Sequence, residues 1–174
     1  MRLCQQNDPK GQEYVYNAYA DRLFRLTRRY IQNEGDAEDI LMHAFVKGFK
    51  NIKTFEFKGE GSLEGWLRKI VVNESLMHLR KEHNFNLMES IENQAGEVDL
   101  KQFSSLEADD IHQFITALPT GYRTVFNLYV IEGLDHAEIA ALLTISEATS
   151  RSQLHKAKAH LRKMLMREGY NYGT

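Results

Sequence analysis

Proline is nearly missing from this chain, with two residues among 174, and cysteine occurs only once. So little proline leaves long stretches free to run as unbroken helix, because each proline would remove a backbone donor and crowd the preceding turn. The lone Cys4 excludes an internal disulfide and points to a reducing compartment. No apolar run approaches the roughly 20 residues that a membrane span requires. The polar start, Met1 to Gly11, has no apolar core of a signal peptide. Cytoplasmic placement without membrane insertion is the expectation.

Chemical signatures are just as sparse. Seven histidines are present, but no HExxH stands among them and no cysteine partners them at zinc-site spacing. His78 and His83, like His155 and His160, are five apart, a poor fit to one helix face. Phosphate-loop and dinucleotide fingerprints are absent, and the Gly59–Gly61 pair follows no strand pattern. The chain is therefore expected not to be an enzyme, and to hold no metal or cofactor.

What is present has the balance of a globular protein, 43% hydrophobic and 26% charged. A net charge of −2 argues against a protein that coats nucleic acid indiscriminately. The charge is segregated, however. Arg151, Lys156, Lys158, Arg162, Lys163 and Arg167 crowd the last helical stretch against Glu147 and Glu168, while acidic groups gather upstream. That distribution suits one local DNA contact together with protein-facing surfaces.

No segment alternates like a strand, so the expected fold is all-α. The first helix spans about Gln12 to Ile31, with Val15, Tyr19, Leu23, Leu26 and Tyr30 in one stripe. A second helix begins at Asp36 as N-cap, with Glu38 and Asp39 favourably placed against the helix dipole. Its apolar row is Ala37, Ile40, Leu41, Ala44, Phe45, Gly48, Phe49 and Ile52. After a loop holding Phe55, Phe57, Lys58, Gly59, Glu60 and Gly61, Ser62 is expected to cap a third helix reaching about Glu82. Leu63, Trp66, Leu67, Ile70, Val71 and Met77 are its expected core face.

The period fades from His83 to Ser105, which reads as a linker. A second helical block begins near Leu106, with Ile111, Phe114, Ile115 and Leu118 on one face. Pro119-Thr120-Gly121 breaks it, and Tyr122 to Glu132 forms the next helix, ending at Gly133. Two small helical domains follow from this layout, residues 1–84 and 106–174, joined by a linker over 85–105.

The strongest local signal lies in the second block. Asp135 and Glu138 stand in capping-box spacing ahead of a short helix His136–Leu143. A tight connector leads to Ser146, which can cap the next helix. Ala140, Ile145, Leu154, Ala157 and Leu161 would face inward, and Arg151, Ser152, His155 and Lys156 outward. This is helix-turn-helix patterning, with a polar second helix able to enter a major groove. A plain helical hairpin with a solvated basic face is the competing interpretation.

On those residues a family resemblance rests. Leu118-Pro119, Arg123, Glu132-Gly133, Glu138-Ile139-Ala140, Ser146 and Lys156-Ala157-Lys158 resemble region four of the extracytoplasmic-function sigma factors of bacterial RNA polymerase. Independently, Asp36 to Ile40 followed by Phe45 and Phe49 resembles the region-two helix that docks on the clamp of the polymerase's largest subunit. Gly61 to Lys81 resembles the segment that reads and opens the minus-ten element. Departures are Met42 for a usual Gln, Thr144 for a common turn Gly, and Ala148 and Ser150 for a frequent Gly and Val.

The resemblance implies three sets of site residues. Asp36, Glu38, Asp39 and Ile40 would dock on core polymerase. Lys58, Gly59, Glu60 and Gly61 would cup a flipped-out minus-ten base, with Lys69, Asn73 and Arg80 along the third helix. Thr149, Arg151, Ser152, His155, Lys156, Lys158 and Arg162 would meet the minus-thirty-five element. Core RNA polymerase, promoter DNA and an anti-sigma factor are the implied partners. Two other functions compete, a helix-turn-helix regulator with an N-terminal sensing or dimerisation domain and a protein-binding helical adaptor. Neither requires the Asp36–Ile40 and Trp66–Asn73 blocks.

Overall fold

A computed structural model describes residues 2–82 and 113–168. The expected linker, and the start of the second block at Leu106 and Ile111, lie outside them. Backbone contacts divide the chain into two units, Met1–Asn84 and Phe85–Thr174. Every element among the described residues is helical.

The first unit opens with a short α1, Arg2–Gln5, and a long α2, Pro9–Tyr30. Helix α2 starts three residues ahead of Gln12, because Asp8 caps it through Lys10 and Gly11 and Pro9 presets its first turn. Gly11 lets α1 lie against α2. A Cβ there would sit 2.7 Å from Leu3 Cβ and 2.8 Å from the Cys4 nitrogen.

Helix α3 runs from Glu34 to Asn51 and is capped by Asn33, whose side chain accepts from the Asp36 N–H at 3.1 Å. The expected cap at Asp36 is thus corrected: Asp36 sits inside the first turn, where its charge still favours the positive helix end. The apolar row is buried as expected from Ala37 to Gly48, and Ile52 continues it in a 3₁₀ turn, Ile52–Thr54.

Helix α4, Ser62–Glu82, closes the unit. Ser62 does not cap it. Its hydroxyl donates to the Gly59 carbonyl at 2.7 Å and accepts from Lys58 N at 3.3 Å, closing the preceding loop. The core row is Leu63, Leu67, Val71, Val72, Leu76 and Leu79. Met77 stands about 100° round the helix from Leu76 and is 44% exposed, contrary to its expected core position.

In the second unit, residues 113–116 are helical, and Ile115 and Leu118 are buried. Helix α5 is Thr120–Phe126, two residues longer at its start than expected, with Pro119 at the N-cap. It continues as a π-helical turn, Asn127–Ile131, in which the Glu132 N–H reaches the Asn127 carbonyl at 3.0 Å. Arg123 is 2% exposed and donates from Nη1 to the carbonyls of Thr116, at 3.1 Å, and Leu118, at 2.9 Å. Burial lowers its pKa to about 10, which still leaves it charged at neutral pH.

Helices α6, His136–Leu143, and α7, Glu147–Arg167, complete the unit. The capping box is formed in both directions, Glu138 N to Asp135 Oδ1 at 2.8 Å and Asp135 N to Glu138 Oε2 at 2.9 Å. Thr144 takes the left-handed turn conformation, φ 59° and ψ 47°, which is costly for a β-branched residue. Ser146 caps α7 through the Thr149 N–H at 3.0 Å. Leu154, Ala157 and Leu161 are buried, while Ala140 and Ile145 are half-buried.

Candidate functional site

Three surfaces gather the residues singled out by sequence. The first is a groove between α3 and α4, lined by Asp36, Asp39, Ile40, His43, Glu74, Met77, His78 and Lys81. Asp39 is exposed at its edge, and Asp36 is half-buried. Ile40 is 6% exposed and presents only its edge to this groove. It belongs to the apolar row that seats α3, so its side chain is committed inward. Glu38 lies elsewhere, beside Tyr16, Ala20, Asp21, Phe24, Leu41 and Met42 in the groove between α2 and α3. Successive helical residues diverge by about 100°, so Glu38 and Asp39 face different partners.

The second surface joins the loop before α4 to its first turns. Lys58 and Lys69 line one groove together with Thr54, Phe55, Glu56, Ser62, Gly65 and Trp66. The loop can fold back because Gly59 and Gly61 take positive φ, 111° and 79°, where a side chain would be strained. Glu60 between them is exposed. Asn73 is exposed one helical turn beyond Lys69, and Arg80 lies further along the same helix. Phe55 and Trp66 contribute an aromatic wall, their ring centroids 5.2 Å apart. Sequence patterning assigned Trp66 to the core. Its half-buried state is what lets it line the groove.

The third surface is the outer face of α7. Arg151, Ser152 and His155 are exposed, and Lys156, Lys158 and Arg162 are half-buried. Arg151 pairs with Glu147 one turn earlier, with side chains 59% and 48% exposed. An exposed pair of this kind contributes little, about 0.3–0.5 kcal/mol, and yields readily to a stronger anion or a base edge. Thr149 is half-buried, and its hydroxyl stands 2.9 Å from Ser146 Oγ within the cap.

One residue behind this face was not picked out by sequence. His136 Nδ1 lies 2.9 Å from Ser150 Oγ, and its ring stacks on Tyr129 with centroids 4.6 Å apart. Its pKa is lowered, chiefly by burial and next by Arg151. The folded unit therefore binds fewer protons there than the unfolded chain, and this contribution to stability falls as pH drops below about 6.5.

Among the described residues no cluster of three or more metal-binding side chains occurs. None of the described helices is long and apolar enough to cross a membrane.

Two family models match in chain order, Sigma-70 region 2 over residues 15–85 and Sigma-70, region 4 over residues 108–161. The ECF RNA polymerase sigma factor SigW of Bacillus subtilis (strain 168) is 30% identical over 166 residues, covering 87% of each chain. The ECF RNA polymerase sigma factor SigE of Mycolicibacterium smegmatis is 30% identical over 164 residues, which is 90% of this chain but 62% of that relative. A solved structure, the sigma factor RpoE in complex with the anti-sigma factor NepR from Bartonella quintana, is similar with a TM-score of 0.53 at 20% identity. That similarity covers 90% of this chain and 98% of the other.

Proposed function

This chain belongs to the extracytoplasmic-function sigma factors of RNA polymerase, and from that premise we propose how its residues divide the work. It binds core polymerase and directs promoter-specific initiation, with an anti-sigma factor as its class of regulator. It does so by differential binding, with no bond-making chemistry of its own. Residues 1–84 serve polymerase docking and minus-ten recognition, 85–105 link, and 106–174 serve minus-thirty-five recognition. The observation that carries this division is the capped helix-turn-helix with its basic outer face, in one chain with the α3–α4 and loop–α4 grooves.

In the first unit, Asp36 and Asp39 present carboxylates to a basic partner surface. The loop–α4 groove receives an unpaired minus-ten base against Trp66 and Phe55, with Lys58 and Lys69 holding phosphates. Asn73 offers both a donor and an acceptor to a base edge. Unstacking a base costs a few kcal/mol, so a surface that captures it stabilises melted DNA. Asn73→Ala is expected to reduce open-complex formation on duplex promoters more than on pre-melted ones. Permanganate reactivity of the melted thymines checks this, and unchanged reactivity on duplex DNA would assign Asn73 to the solvated surface.

In the second unit, α7 enters the major groove with Arg151 foremost. Arg151→Ala is expected to cost about 1–3 kcal/mol and to relax preference at one minus-thirty-five position. Arg162→Ala should weaken all sequences alike and flatten the salt dependence by about one phosphate contact. Titration of single-base promoter variants at several salt concentrations tests the function itself. An unchanged profile for Arg151→Ala, with an altered one for Arg162→Ala, would reverse the two roles.

A further inference from the structure

We infer that His136 is a positioning residue for sequence readout, fixing the first turn of α7 through Ser150 so that Arg151 meets a base edge in register. This rests on the assignment of α7 as the DNA-reading helix.

Three elements meet at this imidazole. Tyr129, in the π-helical turn, stacks on its face, with planes 23° apart. His136 itself is the first residue of α6. Ser150, 0% exposed and in the first turn of α7, takes the in-plane contact to Nδ1. A stack fixes the plane of a ring, and a hydrogen bond fixes its rotation within that plane. Together they leave the imidazole one orientation, and through it they tie the beginning of α7 to the two preceding elements.

The tie lies beside the reading residue. Leu154, Ala157, Leu161 and Leu165 anchor the middle and end of α7, whereas Arg151 projects from its beginning, next in sequence to Ser150. Productive recognition tolerates only about 0.5 Å and 10–20° of error. A guanidinium at the end of a long side chain amplifies any tilt of the turn that carries it. The charged groups acting on His136 are Arg151, Glu147, Asp135 and Lys158. The first is the reading residue itself and the second its ion-pair partner, so the ring and the reader share one electrostatic neighbourhood.

Removing the imidazole leaves the buried Ser150 hydroxyl without its mate, and removing the hydroxyl leaves a half-buried imidazole without one, whereas removing both together is nearly neutral. That asymmetry supplies the test. Full-length protein is assembled with core polymerase and presented at pH 7.5 with promoters carrying a randomised minus-thirty-five segment. Enrichment of bound sequences is read by sequencing, and total retention is read on DNA lacking a promoter.

His136→Phe and Ser150→Val are each expected to flatten the enrichment about five- to tenfold, with retention on promoterless DNA unchanged. The double variant should restore most of the enrichment, and so should His136→Asn, which keeps a hydrogen-bonding atom near the Nδ1 position. If a single variant does not fold, the double variant and His136→Asn carry the decision by the same readout. Wild-type enrichment in both single variants overturns the inference, as does flattening in the double variant equal to that of the singles. Arg151→Ala runs alongside. If it too leaves enrichment unchanged, the assignment of α7 fails first; if it flattens enrichment while the His136 and Ser150 variants do not, only the positioning role is lost.

Discussion

Arg123→Met is expected to destabilise the C-terminal unit by about 3 kcal/mol, a large fraction of what holds a small domain folded. The guanidinium is buried, and one of its nitrogens serves two carbonyls, those of Thr116 and Leu118, where the chain leaves residues 113–116 and turns into α5. Hydrogen bonds from a charged donor contribute about 1.5–3 kcal/mol each, and carbonyls stranded in a core add their own desolvation cost. Met fills much of the volume but donates nothing. Arg123→Lys should recover only part, because its shorter side chain must bring an ammonium to the place where Nη1 meets both carbonyls. Denaturant unfolding of the full chain would show a separate early transition for the C-terminal unit, with the N-terminal unit unmoved. A loss under about 0.5 kcal/mol, the usual range for surface substitutions, would mean that the two carbonyls find other donors.

Asp39→Arg should all but abolish assembly with core polymerase. The carboxylate is exposed at the edge of the α3–α4 groove, so the substitution reverses a charge without disturbing the buried row beneath it. Losing an interfacial charge contact costs about 2–5 kcal/mol, or roughly thirtyfold to a few thousandfold in affinity. Glu38→Arg is the internal comparison. It places the same charge on the same helix, but beside the α2–α3 groove, and is expected to weaken assembly much less. Competition of each variant with labelled wild-type protein for core polymerase gives both numbers. Equal losses would spread the docking surface over both faces of α3, and wild-type affinity for Asp39→Arg would remove it from this groove.

Much of this architecture is legible in sequence because helices announce themselves through period and punctuation. The row from Ala37 to Gly48 with Ile52, and the Asp135–Glu138 box, fold as their spacing dictates, while Phe49 in the same row is only half-buried. Helix starts were less legible where two caps compete. Asn33 and Asp36 are both good N-caps, and only the structure shows Asn33 accepting the bond. Met77 illustrates a different limit. Val71, Val72, Leu76 and Met77 form an apolar band wider than the buried face, so period alone cannot say which edge the neighbouring helices cover.

The site residues divide in the same way. Outward positions on α7 follow from a helical wheel once the cap is known. Long-range pairings do not. Ser150 stood out only as a serine where Val is frequent in the resemblance, and nothing local links it to a histidine fourteen residues earlier. The π-helical turn, which brings Tyr129 onto that histidine, has no sequence period of its own. Ile40 shows that one residue of a motif can serve both ends, seated in the apolar row and edging the α3–α4 groove.

The close seating of α1 on Gly11 gives the molecule a built-in clock. Cys4 is its sole thiol, fully covered at that contact, and burial pushes its pKa upward. A thiol-directed reagent in solution therefore meets it only while α1 is lifted from α2, and the labelling rate counts those openings. Any partner that clamps the amino-terminal end shut would slow the clock, and any that pries it loose would make it run fast, with no cysteine introduced into the chain.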